Sequence, residues 1–138
     1  MTVDTPGDPV KAETADSDKA DLDARDIQVY FQEYDNLEYG LMYFHLNGYV
    51  VDAEELARVT MEGLKKEKRA LTAWEYKITR VNEERVTISG VCVFSGRPGV
   101  IEGLVKTKGS KVWFILTFSQ KNEAEAAARR IISSARLE

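Results

Sequence analysis

The stretch KVWFILTFS, Lys111 to Ser119, puts apolar side chains on both sides of an extended chain: Val112, Phe114, Leu116 and Phe118 in one row, Trp113 and Ile115 in the other. A strand with one solvated face alternates apolar with polar residues, whereas a strand that is apolar in both rows is covered from both sides. The stretch predicts a central strand with a layer of structure on each face. The neighbouring sequence must supply those layers.

One layer follows directly. Asn122 and Glu125 have capping-box spacing, and Ala124, Ala127, Ala128, Ile131, Ile132 and Ala135 recur at helical intervals on one face. That face is mostly alanine, which suits close approach to a flat sheet, so the closing helix is expected to act as a lid on it. Arg129, Arg130 and Arg136 lie near its C-terminus, where the helix dipole favours cations.

Upstream of KVWFILTFS lie three more strand-like runs, WEYKITRV (74–81), RVTISGVCVF (85–94) and VIEGLVKT (100–107), separated by NEE, SGRPG and KGS. Connections this short join antiparallel neighbours, since a parallel pair needs a crossover of about a dozen residues. These four strands form a meander. Before them, Asp52 and Glu55 again have capping-box spacing, and Ala53, Leu56, Ala57, Thr60 and Leu64 define the buried face of a helix that ends in Lys65, Lys66, Lys68 and Arg69. Those cations are explained by the dipole without any anionic partner.

Earlier still, Ile27, Val29 and Phe31 alternate with Gln28, Tyr30 and Gln32, the period of a half-buried strand. A turn at Asp35-Asn36 leads to LEYGLMYFHL (37–46), and Asn47-Gly48 is either a tight turn or the bend before YVV. The order is β-β-α-β-β-β-β-α. This predicts an α+β domain over 27–136, a mostly antiparallel sheet of about six strands with helices packed on its faces; a cystatin-like α+β arrangement is the alternative.

Composition limits the function. The chain has 138 residues and a formal net charge of −4, so the basic surface of a nucleic-acid binder is missing. Residues 1–26 hold eight acidic and three basic residues, two prolines and no aromatic, a net of −5 that leaves the remainder at +1. Such a stretch is expected to be a disordered acidic tail or tether. No apolar run is long enough to span a bilayer and no signal-peptide pattern is present, so membrane attachment is expected only through a lipid anchor ahead of Met1. Leu137-Glu138 reads as a cloning remnant.

No catalytic constellation stands out. His45 is the sole histidine and Cys92 the sole cysteine, which leaves no ligand spacing for zinc, no disulfide, and only one nucleophile–base pairing to consider. Cys92 lies in GVCVF, between two valines, where a buried thiol is unreactive. The serine-hydrolase elbow and the phosphate-binding loop are both absent. Glu54, Glu55, Glu62, Glu83 and Glu84 read as solvated charges on a helix and a turn. No catalytic residue, metal or cofactor is expected.

Two surfaces could bind. Tyr30, Tyr34, Tyr39, Tyr43 and Tyr49 account for five of the six tyrosines and fall within twenty residues. Tyrosine joins a rigid apolar body to a polar tip, which suits interfaces as well as cross-strand packing. Lys106, Lys108 and Lys111, around the hairpin tip VKTKGSK, are the candidate anion contact.

The helix after the first strands, the four-strand meander, KVWFILTFS and the helix ending at IISSAR resemble the PsbP-like α/β/α sandwich over about residues 27–136. That family includes photosystem accessory proteins, a Ran-binding import factor and small bacterial envelope lipoproteins. The resemblance lies in element order, so it transfers no site residue. It implies an accessory or binding domain; combined with the acidic tail, the expectation is a bacterial cell-envelope or periplasmic protein, a lipoprotein trimmed of its signal and lipid-bearing cysteine, that binds a protein or small ligand through the aromatic surface, and a monomer is expected. The rival expectation is a cytoplasmic ligand-binding or enzymatic domain with a pocket between the sheet and the Asp52 helix, lined by Tyr39, Tyr43, Trp74 and Tyr76. A self-association module is the third.

Overall fold

Nine consecutive residues, Val112 to Gln120, are buried in the last strand, as the double apolar row requires. They belong to a computed structural model that describes residues 3, 5, 7, 10–12, 23–67, 71–122 and 124–137. In chain order its elements are β1 (Val10–Ala12), β2 (Ala24–Glu33), β3 (Leu37–Leu46), α1 (Ala53–Glu67), β4 (Leu71–Asn82), β5 (Arg85–Phe94), β6 (Arg97–Lys108), β7 (Lys111–Gln120) and α2 (Glu125–Ser134). The strands form one sheet in the order β1-β2-β3-β7-β6-β5-β4, and every neighbouring pair is antiparallel. The six-strand, two-helix α+β order read from the sequence is therefore the observed one, with β1 added as a short edge strand.

Side-chain alternation along β7 divides the core in two. Val112, Phe114, Leu116 and Phe118 join Ala53, Ala57 and Met61 of α1, together with Trp74, Val86, Ile88, Ile101 and Val105 from the meander. Trp113 and Ile115 face the other way, towards Ala124, Ala128 and Ile131 at α2 and Leu37, Tyr39 and Leu41 of β3. Each helix thus lies on its own face, with α1 across β4, β5 and β6 and α2 on β6 and β7.

Local chemistry sets the element boundaries. The Glu55 N–H donates to Asp52 Oδ2 at 3.1 Å, the cap predicted for α1, but the Glu55 carboxylate pairs with Arg58 instead of closing the box. The cap predicted at Asn122 does not form. Asn122 takes a left-handed φ of 66° in the turn after β7, Ala124 occupies the N-cap position without a side-chain bond, and α2 starts at Glu125. The β5–β6 turn is also tighter than SGRPG suggested: Ser95 and Gly96 (φ 50° and 77°) make the two-residue turn, and Pro98 belongs to β6 opposite Val93. Asn47-Gly48 is a bend before α1, anchored where the Asn47 N–H donates to the Asp23 carbonyl at 2.9 Å.

Two parts of the stretch expected to be a tail enter the sheet. Val10–Ala12 pairs with β2 at Val29–Phe31, and residues 24–26 begin β2. The rest of that stretch, apart from Val3, Thr5, Gly7 and Asp23, lies outside the described residues. Leu137, read as part of a remnant, is buried in the α2-side cluster, and Glu138 lies outside the described residues. No helix among the described residues is long and apolar enough to cross a membrane.

Candidate binding surface

Strand register brings three of the five candidate tyrosines together. Tyr30 of β2 pairs with Leu41 of β3, so Tyr39 and Tyr43 lie diagonally on either side of it on the α2 face. The Tyr43 ring meets Trp113 of β7 at 5.5 Å between centroids. Burial, and then the Asp26 carboxylate, push the Tyr43 hydroxyl pKa up. Tyr39 is buried, and its hydroxyl donates to the Gly7 carbonyl at 3.4 Å. Tyr34 sits in the β2–β3 turn, 38% exposed, while Tyr49 lies past the other end of β3, before α1. The tyrosines are thus a packed cluster of three with Tyr34 at one end of the hairpin and Tyr49 at the other.

The lysines separate too. Lys106 Nζ donates to the Leu137 carbonyl at 2.9 Å and lies 5.8 Å from the centre of the Trp113 ring, which ties it to the α2 face. Lys108 and Lys111 remain at the hairpin tip, opposite each other in register and exposed.

Topology also settles the question of a thiol–histidine pair. His45 lies beside Lys111 at the start of β7, whereas Cys92 pairs with Gly99, which pairs with Gln120 at its end. Nine residues of strand, about 30 Å, separate the two positions. Cys92 is 5% exposed; burial first, with the negative charge of Glu38 second, pushes its thiol pKa up to about 11. That is a core cysteine.

The carboxylates have structural partners. Glu62 accepts from the Tyr76 hydroxyl, Glu55 pairs with Arg58, and Glu54 lies 3.9 Å from Arg80. Sequence reading passed over Glu102, a half-buried carboxylate beneath α2 whose pKa is raised by burial against the opposing effect of Arg129 at 3.4 Å. It lines an open groove with Val100, Arg129 and Ile132. Among the described residues no group of His, Cys, Asp or Glu could hold a metal ion.

The pocket expected from Tyr39, Tyr43, Trp74 and Tyr76 is not assembled. Tyr39 and Tyr43 belong to the α2-side cluster, while Trp74 and Tyr76 belong to the α1 side, where Trp74 fills the core against Phe118 with ring centroids 5.0 Å apart. A different cavity opens beside α1: an apolar cleft of about 160 Å³ lined by Val29, Phe31, Met42, Leu64, Leu116 and Phe118, with Glu33 and Glu38 also on its wall. It exists because α1 lies over β4–β6 and leaves the β2–β3 side of that face partly open; Val29, Met42 and Phe44 are only half-buried and Phe31 is 42% exposed. Its only sequence signal is the apolar row of Ile27, Val29 and Phe31, which α1 covers only in part. No family model matches the chain, and no curated protein matches its sequence.

Proposed function

We propose that this chain is a non-enzymatic binding domain that holds its ligand on the β2–β3 half of the sheet, within a bacterial cell-envelope protein. The observation that carries this reading is the uneven cover of the sheet: both helices pack on β4–β7, and the apolar cleft with its exposed Phe31 opens on the other half. Apolar cavities rimmed by a few polar groups are the usual form of a ligand site. The groups with shifted pKa values owe those shifts to burial and to structural partners, which favours binding over acid–base chemistry. The envelope assignment draws on the PsbP-like order of elements with a helix on each face.

An apolar fluorescent dye, bis-ANS, tests the site. Phe31→Asp should abolish dye binding, while Val91→Asp, 53% exposed on β5 at the other side of the sheet, should leave it intact. Equal loss in both variants, or none in either, overturns the assignment. Fractionation of the native gene product with intact mass of its mature N-terminus tests the compartment: recovery in the cytosol without cleavage removes the envelope reading. A second reading, a small apolar ligand held in a cytoplasmic protein, is favoured by the size of the cleft and would then replace it.

A further inference from the structure

On the face of the sheet opposite the cleft, α2 lies on β6 and β7, and β5 beside it stays open. An open groove of about 420 Å³ follows that flank of the helix, lined by Thr87 and Ser89 of β5, Val100 and Glu102 of β6, and Arg129 and Ile132 of α2. Strand register accounts for the set. Ser89 pairs with Glu102, and Thr87 and Val100 stand two residues along on their own strands, so all four share the α2 face.

The charges in this groove are uneven. Arg129 Nε donates to Glu102 Oε1 at 3.4 Å and Arg129 Nη2 to Glu125 Oε1 at 3.3 Å, so one guanidinium serves two carboxylates. The side chains of Glu102 and Glu125 are 21% and 20% exposed against 67% for Arg129, so solvent screens the cation more fully than the two anions. Among the described residues, Glu102 Oε2 and the hydroxyls of Thr87 and Ser89 have no partner, and Lys77, opposite Ser89 on β4, forms no ion pair.

We infer that this groove is a second binding site, and that it takes a primary ammonium on a short alkyl chain, the group carried by small free amines and by lysine side chains. The three N–H donors of an ammonium match three acceptors, Glu102 Oε2, Ser89 Oγ and Thr87 Oγ1. Its charge supplies the cation that two carboxylates sharing one guanidinium lack, and hydrogen bonds to an ionised carboxylate are the strong ones. The alkyl chain lies against Val100 and Ile132. Because the groove and the apolar cleft are on opposite faces, neither site depends on the other.

The test titrates n-butylammonium chloride into the full chain at constant ionic strength and follows the amide resonances. Saturable shifts should centre on Ser89, Glu102 and Ile132. N,N,N-trimethylbutylammonium keeps the charge and the chain but has no N–H to donate, so it should bind about ten-fold more weakly. Glu102→Gln should weaken n-butylammonium by about ten-fold as well. Arg129→Gln, at an exposed position, should tighten it, since both carboxylates then lack their counter-charge. Shifts that never saturate, equal binding of the two cations, unchanged affinity in Glu102→Gln, or weaker binding in Arg129→Gln overturns the site. Comparing the two cations needs only the wild-type chain, so the test stands even if Glu102→Gln fails to fold. Nα-acetyl-lysine methylamide carries the same butylammonium on a peptide backbone: tighter binding than n-butylammonium assigns the group to a lysine side chain, weaker binding to a free amine, and either supports the site.

Discussion

Arg80 of β4 donates to Asp52 Oδ1 at 2.7 Å while Asp52 Oδ2 accepts the Glu55 N–H, so one carboxylate caps α1 and moors its first turn to an edge strand. The Arg80 hydrogen bond first, and the Glu55 N–H next, hold the Asp52 carboxyl below its ordinary range. A carboxylate with a depressed folded-state pKa stabilises the fold above its unfolded value, and that stability is lost as pH falls through the folded value. Asp52→Asn should therefore have a lower Tm than the wild type at pH 7. Below about pH 4 the gap should narrow progressively. A gap that stays constant from pH 7 to pH 2 would show that the charge plays no part.

Two glycines should respond to alanine with opposite signs. Gly63 is exposed on α1 and a Cβ there meets nothing within 4 Å, so Gly63→Ala should stabilise by about 1 kcal/mol through helix propensity. A Cβ on Gly90 of β5 would lie 2.7 Å from the Tyr76 Cα and closer still to the Glu75 carbonyl oxygen, beside the bulge in β4. Backbone must move to admit it, and Gly90→Ala should cost about 1–3 kcal/mol. Urea unfolding at constant m-value measures both.

Ser119 is fully buried in β7 and its Oγ has no hydrogen-bond partner among the described residues. A buried hydroxyl left unsatisfied costs about 1–3 kcal/mol, so Ser119→Ala should be stabilising by roughly 1 kcal/mol, a rise in Tm of about 4 °C. A fall in Tm would mean that the hydroxyl is held by water.

The architecture was legible where one residue pattern had one structural solution. KVWFILTFS could only be covered on both sides, and the short links NEE and KGS could only join antiparallel neighbours. Pro98 misled because proline is common in turns, yet in β6 it stands directly after the true two-residue turn and Arg97. The expected pocket failed on register. Nothing within LEYGLMYFHL says which of its two rows faces α1; that is fixed by pairing with β7, where Tyr43 meets Trp113, seventy residues downstream. The cleft was illegible for a related reason: it is produced by where α1 stops covering the sheet, not by the residues that line it.

Alkaline pH should expose two raised acids in turn. Cys92 rises to about 11 through burial, and Tyr76 to about 12 through burial and its hydrogen bond to Glu62. Each is protonated in the folded chain at pH values where the unfolded chain ionises, so stability is complete below the unfolded pKa and declines as pH rises through the folded one. Stability should fall from about pH 9 for Cys92 and from about pH 10 for Tyr76. Cys92→Ala should flatten the first part of this decline. Glu62→Gln should bring the last tyrosine to ionise, followed at 295 nm, to a lower pH.

The pairing of β3 with β7 has a kinetic consequence. The strands from β4 to β7 are joined by short turns and can zip up locally, whereas Leu37 must find Ser119 across more than eighty residues. Closing so long a loop is the entropically slow step, which makes β4–β7 with its helices the early-folding unit and the β2–β3 hairpin the last to dock. Such late units also open first under native conditions. Amide exchange should accordingly divide the sheet along the β3–β7 seam, with the faster half being the one that carries the cleft. The surface suited to accept a partner is then also the part of the molecule that can yield to one without unfolding the rest.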